Sequence, residues 1–154
     1  MSIRSTQPFL DEHAQLRDHV EHFLVAAREL PTVDRDDRIE TVERIVAFLA
    51  DVLLPHCADE ERVLYPAAAR LLCEEDGSDT VAGDRAKVRD LLAQLSQADP
   101  DDPGALQEPL YALYAILSAH FWREEELYLK LAALRDEAGT SAILDRVGVR
   151  ISAR

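Results

Sequence analysis

Hydrophobic residues recur at intervals of three and four along most of the chain, which is the pattern of helices with one buried face. The pattern predicts a first helix from Pro8 to Leu30. Its inward positions are Phe9, His13, Leu16, Val20, Phe23, Leu24 and Ala27. A second apolar stripe begins near Asp36 and runs to His56, through Ile39, Val42, Ile45, Val46, Leu49, Val52 and Leu53. Pro55 removes one backbone donor, so we expect a kink there; the helix should continue, since the pattern resumes beyond it.

Polar segments rich in Gly, Pro and acidic residues separate the remaining elements. The second helix should bend again at Pro66 and fade at residues 74–78. A third helix is predicted from Asp79 to Gln97 and a fourth from Ala105 to about Glu137. A short last helix is expected at 140–149, after a glycine. Four long helices joined by short loops predict an all-α, up-down-up-down four-helix bundle with a short C-terminal helix.

Composition supports this fold class and narrows the classes of partner. The chain has 154 residues, 47% of them hydrophobic, so we expect residues 1–154 to form a single domain. The net charge of −13 repels phosphate backbones, which argues against nucleic acid and anionic membranes as partners. No apolar run approaches the ~20 residues of a membrane span, and the N-terminus lacks the apolar stretch of a secretion signal. A cytoplasmic location is therefore expected, and two cysteines, Cys57 and Cys73, predict no disulfide framework.

The two halves of the chain carry the same polar motif at matching places. His56 precedes Glu60 by four residues in the second predicted helix, and His120 precedes Glu124 by four in the fourth. Residues four apart stack on one face of a helix, so each pair presents an imidazole and a carboxylate side by side to the bundle axis. A single pair at this spacing is weak evidence. The repetition, with a second Glu and an apolar-aromatic triplet after each pair, favours a metal site.

This arrangement resembles the hemerythrin-like, HHE cation-binding family, whose pattern is a His on the first helix, His-x3-Glu on the second, a His on the third and His-x3-Glu on the fourth. The resemblance covers about residues 8 to 135. It implies a pair of iron ions bridged by the two Glu, and family members that bind dioxygen, sense oxygen or iron, or handle peroxide and nitric oxide. The residues that match the pattern, and that the resemblance implies as metal ligands, are His13, His56, Glu60, His120 and Glu124.

The third-helix histidine of that pattern is missing. Alignment of the two halves places Arg85 over His13, and an arginine stays protonated and does not coordinate a metal. One half-site, His13 with His56, is complete, whereas the other retains His120 and the shared carboxylates. Two glutamates, one divalent ion and Arg85 together carry the same charge as two divalent ions, two glutamates and a hydroxide. We therefore hypothesise that Arg85 replaces one ion, with its guanidinium donating to a motif glutamate. A layer of the same side chains without a metal is also electrically neutral if one histidine is protonated, because that histidine and Arg85 then offset the two glutamates.

The sequence alone leaves alternative roles open for several residues. A shift in the register of the third helix would turn Asp84 inward as a replacement ligand and leave Arg85 at the surface. Cys57 is either a small buried hydrophobe or a soft extra ligand or redox group, and Trp122 either packs or forms an association patch. Exposed or rim positions are expected for His19, His22, Glu61 and Glu125. Core packing is expected for Tyr65, Tyr114 and Tyr128.

The leading functional hypothesis is a small cytoplasmic protein that holds one iron, or another divalent ion, in a mononuclear or incomplete di-iron site. It would bind or sense dioxygen, reactive oxygen or nitrogen species, or iron, and a homodimer is compatible with it. One alternative is a redox enzyme with an open metal position that acts on peroxide or a nitrogen oxide. Another is a metal-free structural or protein-interaction bundle. Ferritin-type chemistry is disfavoured, because no His here has a Glu three residues before it.

Overall fold

The computed structural model describes residues 7–72 and 78–133, and every regular element in these two ranges is helical. The elements are α1 (Gln7–Glu29), a 3-10 turn (Leu30–Thr32), α2 (Arg35–Phe48), a π-helical turn (Leu49–Leu53), α3 (Leu54–Leu72), α4 (Ser78–Gln97) and α5 (Pro103–Ala132). The helix predicted at 140–149 lies outside the described residues. No described helix has the length and apolar character that crossing a bilayer requires.

Aspartates fix the starts of two helices. The Asp34 side chain accepts a hydrogen bond from the Asp37 backbone N–H at 3.0 Å and caps α2. Asp102 caps α5 by accepting from the N–H groups of Gly104 and Ala105 at 2.9 and 3.2 Å. These bonds satisfy donors that have no partner within the first helical turn. The predicted starts near Asp36 and Ala105 were therefore correct to within two residues.

The second predicted helix consists of α2, the π-helical turn and α3 without a break. The irregularity precedes Pro55: the Leu54 N–H bonds to the Leu49 carbonyl, one residue further back than in an α-helix. A wider turn gives the proline ring room against the preceding turn. It also shifts the register, so that Leu53 is buried whereas Val52 is 43% exposed. The prediction that Val52 belongs to the buried stripe was wrong, because it assumed a regular helix.

Helix α5 packs along both α1 and α4. It runs antiparallel to α1, because Glu124 faces His13 while Gln107, near the start of α5, donates to the Ala27 carbonyl at 2.6 Å. The fully buried apolar side chains between the helices include Val20, Phe23, Leu53, Leu110, Leu113, Leu117 and Phe121. The described residues thus form a helical bundle with an apolar core, and the complete up-down-up-down order stays a prediction.

Candidate metal centre

One layer of the bundle buries polar side chains. Among the described residues the buried polar or charged side chains are His13, His56, Glu60, His120 and Glu124. They come from α1, α3 and α5 and are the five residues that the sequence motif names. Burying two carboxylates and three imidazoles is costly unless they are paired with one another or with a cation. The arrangement of their atoms indicates which of these applies.

Four of the five side chains converge on one another. His13 Nε2 lies 3.1 Å from Glu60 Oε1 and 3.5 Å from Glu124 Oε2. His56 Nε2 lies 3.1 Å from Glu60 Oε2. One ligand atom from each of these four residues lies within 4.8 Å of the others. Two imidazole nitrogens and two carboxylate oxygens at such spacing could hold a divalent metal ion.

Several of the converging atoms lack a hydrogen-bond partner. His56 Nε2, Glu60 Oε2 and Glu124 Oε2 are buried and unpartnered in the described structure. His56 Nε2 and Glu60 Oε2 lie at contact distance without the geometry of a hydrogen bond. These atoms belong to the four residues whose ligand atoms lie within 4.8 Å of one another. A cation there would satisfy all of them, so the donor set fits a metal ion.

Glu124 divides its oxygens between two groups of side chains. Its Oε2 faces His13, whereas its Oε1 lies 3.1 Å from His120 Nε2. The same His120 nitrogen lies 3.5 Å from Cys57 Sγ. His120 and Cys57 lie outside the four-residue group. Glu124 is therefore placed between the complete half of the centre and the half that lacks the third-helix histidine.

Two buried tyrosines hold the motif carboxylates from the opposite helix. The Tyr128 hydroxyl of α5 donates to Glu60 Oε1 on α3 at 2.7 Å, and the Tyr65 hydroxyl of α3 donates to Glu124 Oε1 on α5. Burial raises the pKa of both hydroxyls, so each keeps its proton and remains a donor. Core packing was expected for these tyrosines, and their hydrogen bonds were not predicted. The spacing gave a partial signal: Tyr128 follows Glu124 by four residues and so shares its helix face, whereas Tyr65 follows Glu60 by five and does not.

Burial and neighbouring charges act in opposite directions on the titratable groups. Burial alone would raise the pKa of Glu60, but His56 and His13 hold it well below 4.5. Burial alone would lower the pKa of His56, but Glu60 and Glu124 raise it above 6.5. Burial opposes protonation of His120 as well, yet Glu124 outweighs it and raises the pKa to about 11. Without a metal, the centre therefore favours an ionised Glu60 beside protonated His56 and His120.

Arg85 does not contact a motif glutamate in the described structure. Its Nη1 lies 2.8 Å from Glu61 Oε2, at a position where the arginine side chain is 26% exposed. The hypothesis that its guanidinium donates to Glu60 or Glu124 is corrected accordingly. The long side chain reaches the rim, where its charged end keeps part of its hydration. The alternative with Asp84 as an inward ligand is not seen either, because Asp84 pairs with Arg123.

The surroundings of the two half-sites differ. On the complete side, Glu12 Oε1 lies 3.9 Å from His56 Nδ1, the ring nitrogen that faces away from Glu60. This distance is too long for a hydrogen bond, and His56 Nδ1 is buried without a hydrogen-bond partner. Asp84 occupies the place of Glu12 in the second repeat but is engaged by Arg123. The complete half-site therefore has a carboxylate close to its imidazole, whereas the matching carboxylate of the other half is paired with an arginine.

The remaining candidates lie at the surface. His19 and His22 are exposed, as predicted, and the His19 ring stacks on Phe48. Glu61 and Glu125 are rim residues that pair with Arg85 and Arg17, respectively. Trp122 is 65% exposed, so it does not pack in the core of the described bundle.

Comparison with known proteins agrees with the geometry. No curated protein and no solved structure gives a match to the chain. The family model of the hemerythrin HHE cation-binding domain matches residues 5–132. This range is most of the chain and includes all five buried polar residues. Together with the converging His and Glu side chains, this match shows that the chain belongs to the hemerythrin HHE cation-binding domain family.

Proposed function

We propose that the protein binds one iron ion tightly, at His13, His56, Glu60 and Glu124, and uses it to bind or sense dioxygen or a related oxygen or nitrogen species. The observation that supports this proposal is the set of buried, unpartnered oxygen and nitrogen atoms that converge in the complete half-site. Two imidazoles and two carboxylates form a mixed nitrogen and oxygen donor set that suits iron(II). Another divalent ion with the same preference would fit the same donors.

The protein's own side chains would hold the ion in a fixed, dry environment. The hydroxyls of Tyr128 and Tyr65 fix the orientation of the two carboxylates. The Phe121 ring packs edge-on against the His13 ring, with centroids 5.3 Å apart, and excludes water on that side. A bound iron would supply a redox-active centre that can take a small diatomic ligand. His120, beside Glu124, could donate a hydrogen bond toward such a ligand.

The decisive measurement is the metal content per chain of protein made in iron-replete medium and purified without a metal-affinity column. We expect about one tightly held iron per chain, because one half-site is complete and the other lacks an imidazole. His56→Ala and Glu60→Ala should each release it. His22→Ala removes an exposed histidine and is the matched control, which should keep the metal. Two strongly bound irons in the unaltered chain would contradict the proposal.

A second candidate function is a metal-free polar layer that supports a structural or interaction role. The tyrosine hydrogen bonds and the ion pair between His120 and Glu124 favour it, because they satisfy part of the buried layer without a cation. The two candidates differ in one respect that can be measured, which is whether iron changes the stability of the folded chain.

A further inference from the structure

The outer face of α5 is apolar, although it points away from the bundle core. Five large hydrophobic side chains are exposed among the described residues, and three of them lie on this helix: Tyr111 at 41%, Trp122 at 65% and Leu129 at 62%. They are eleven and seven residues apart, so a helix of 3.6 residues per turn places them within about 20° of one another. A row of exposed apolar side chains along one face is typical of an interaction surface.

The central part of this face also carries no charge. Residues 109–122 contain no Asp, Glu, Lys or Arg, in a chain of which 31% is charged. The exposed positions between the large side chains are the small residues Ala115 and Ala119, with Ser118 half-buried beside them. A helix face that stays in water normally carries charged or polar side chains. An uncharged, apolar face of this length is therefore expected to be covered by a partner.

The order of large and small side chains is self-complementary when two copies of α5 run antiparallel. A two-fold axis near position 120 places Tyr111 of one copy against Leu129 of the other. The same axis places Trp122 over the small Ser118 of the other copy. Small side chains at the centre let the two helices approach closely, and the bulky ones fill the space on either side. A second copy of this chain therefore fits the face by shape.

Charge and contact area favour the same partner. The antiparallel arrangement brings the Glu108 end of one helix beside the Lys130 end of the other, so opposite charges meet at both ends of the contact. The three large side chains expose about 400 Å² per copy, so pairing removes about 800 Å² from water through them alone. The small residues and the charged ends extend this area toward the ~1,200 Å² of a stable interface. The net charge of −13 argues against an anionic membrane as the occupant.

We propose that two copies of this chain pair through the outer faces of α5, antiparallel about a two-fold axis near position 120. The pairing does not depend on the proposed iron site, because Trp122 lies about 200° around the helix from His120. It places the candidate metal centres of the two copies on opposite sides of the α5 pair. Each copy carries a net charge of −13, so repulsion opposes association at long range and is weakened by salt.

Trp122 is the single tryptophan of the chain, so tryptophan fluorescence reports directly on this face. The full-length chain is diluted in chelator from about 1 mM to about 1 μM, and its emission and sedimentation are followed together. We expect the emission maximum to lie at shorter wavelength in the dimer, with the same midpoint concentration in both measurements. Added salt should shift this midpoint to lower protein concentration. A chain that sediments as a monomer at every concentration overturns the proposal, whatever else covers the face.

A charge placed near the two-fold axis should separate the two copies. In Ala119→Glu, the new carboxylate faces its counterpart in the other copy, so the dissociation constant should rise at least about tenfold. Val25→Glu adds the same charge at an exposed apolar position of α1 and is the matched control, which should leave the dimer intact. Circular dichroism shows that each variant is folded. A dimer that persists in Ala119→Glu, with the emission of Trp122 unchanged, overturns pairing through α5.

Disulfide cross-linking tests the direction of the pairing in a chain that carries Cys73→Ser, where the remaining Cys57 is buried. Ala119→Cys should give a covalent dimer on oxidation, because the two thiols lie close to the axis. Glu108→Cys is the control: antiparallel pairing places its two copies about 36 Å apart along the helices, so it should stay uncross-linked. Equal cross-linking of both variants would show parallel pairing and would overturn the two-fold arrangement.

Discussion

At the scale of single residues, Glu124 couples the two halves of the polar layer. One of its oxygens faces His13 and the other faces His120 and the Tyr65 hydroxyl. Glu60 is held in the same way between two histidines and Tyr128. Each carboxylate therefore has a tyrosine donor that does not depend on the metal. Removing that donor should affect stability most when no metal is bound.

Tyr128→Phe tests this dependence. The change removes the 2.7 Å hydrogen bond to Glu60 Oε1 and leaves a buried, charged acceptor with one donor fewer. We expect the free energy of unfolding to fall by about 1–3 kcal/mol in chelator, measured by denaturant titration. Tyr114→Phe, at a half-buried position of the same helix, is the matched control and should change it by less than about 0.5 kcal/mol. If both variants lost the same free energy of unfolding, the effect would not come from the hydrogen bond to Glu60.

Arg85→His tests the alignment of the two halves. The substitution supplies the imidazole that the third helix lacks and gives up an ion pair with Glu61, which is partly exposed and contributes about 0–1 kcal/mol. Iron content should rise from about one to about two ions per chain in elemental analysis. An unchanged iron content would show that position 85 does not face the vacant ligand position, and that the alignment of Arg85 with His13 is wrong.

Spacing alone was enough to find the five buried polar residues, because a four-residue interval on a helix fixes a shared face. It was not enough to find the partner of Arg85. Glu60 and Glu61 are adjacent in sequence, and the choice between them depends on how far α4 is displaced along α3. A flexible side chain also prefers a partner that leaves it partly hydrated. The sequence repeat gives neither the displacement of α4 along α3 nor the hydration of the arginine side chain.

At the scale of helices, breaks were predicted well and internal irregularities were not. Proline, glycine and acidic clusters located the starts of the described helices to within two residues, because capping and missing donors act locally. The end of α5 at Ala132 lies five residues before the predicted Glu137. The π-helical turn before Pro55 was missed. Its presence depends on whether His56 and the residues after it can keep facing the bundle axis, which is a tertiary constraint. The exposure of Val52 is the visible consequence.

Asp102→Ala tests how much one helix cap contributes. The aspartate accepts hydrogen bonds from Gly104 and Ala105, so its loss should lower the free energy of unfolding by about 1 kcal/mol. Asp101→Ala is the matched control, because it removes the same charge at the adjacent residue together with an exposed ion pair to Arg35. It should lower the free energy of unfolding by less than about 0.5 kcal/mol. Thermal and denaturant unfolding measure both. A larger loss in Asp101→Ala would show that charge, and not capping, stabilises the start of α5.

At the scale of the whole molecule, metal binding and protonation compete for the same side chains. Folding raises the pKa values of His56 and His120, the latter to about 11, so the folded chain holds protons that the unfolded chain releases above pH 6.5. Their contribution to stability is complete below pH 6.5 and is lost as the pH rises toward 11. Glu60 has a lowered pKa, so its contribution is complete above pH 4.5 and is lost as the pH falls through the folded value.

These directions predict that the melting temperature depends differently on pH with and without iron. In chelator, the melting temperature should fall as the pH rises from 6.5 to 9, because the protonated histidines lose their advantage. A metal requires neutral imidazoles, so protons compete with it less as the pH rises and its stabilisation grows. The difference in melting temperature between chain loaded anaerobically with iron(II) and chelated chain should therefore be several degrees and should increase from pH 6 to pH 8. Exposed groups cancel in this difference, because they are the same in both samples. Identical melting curves at every pH, with loading verified by elemental analysis, would favour the metal-free polar layer over the iron site.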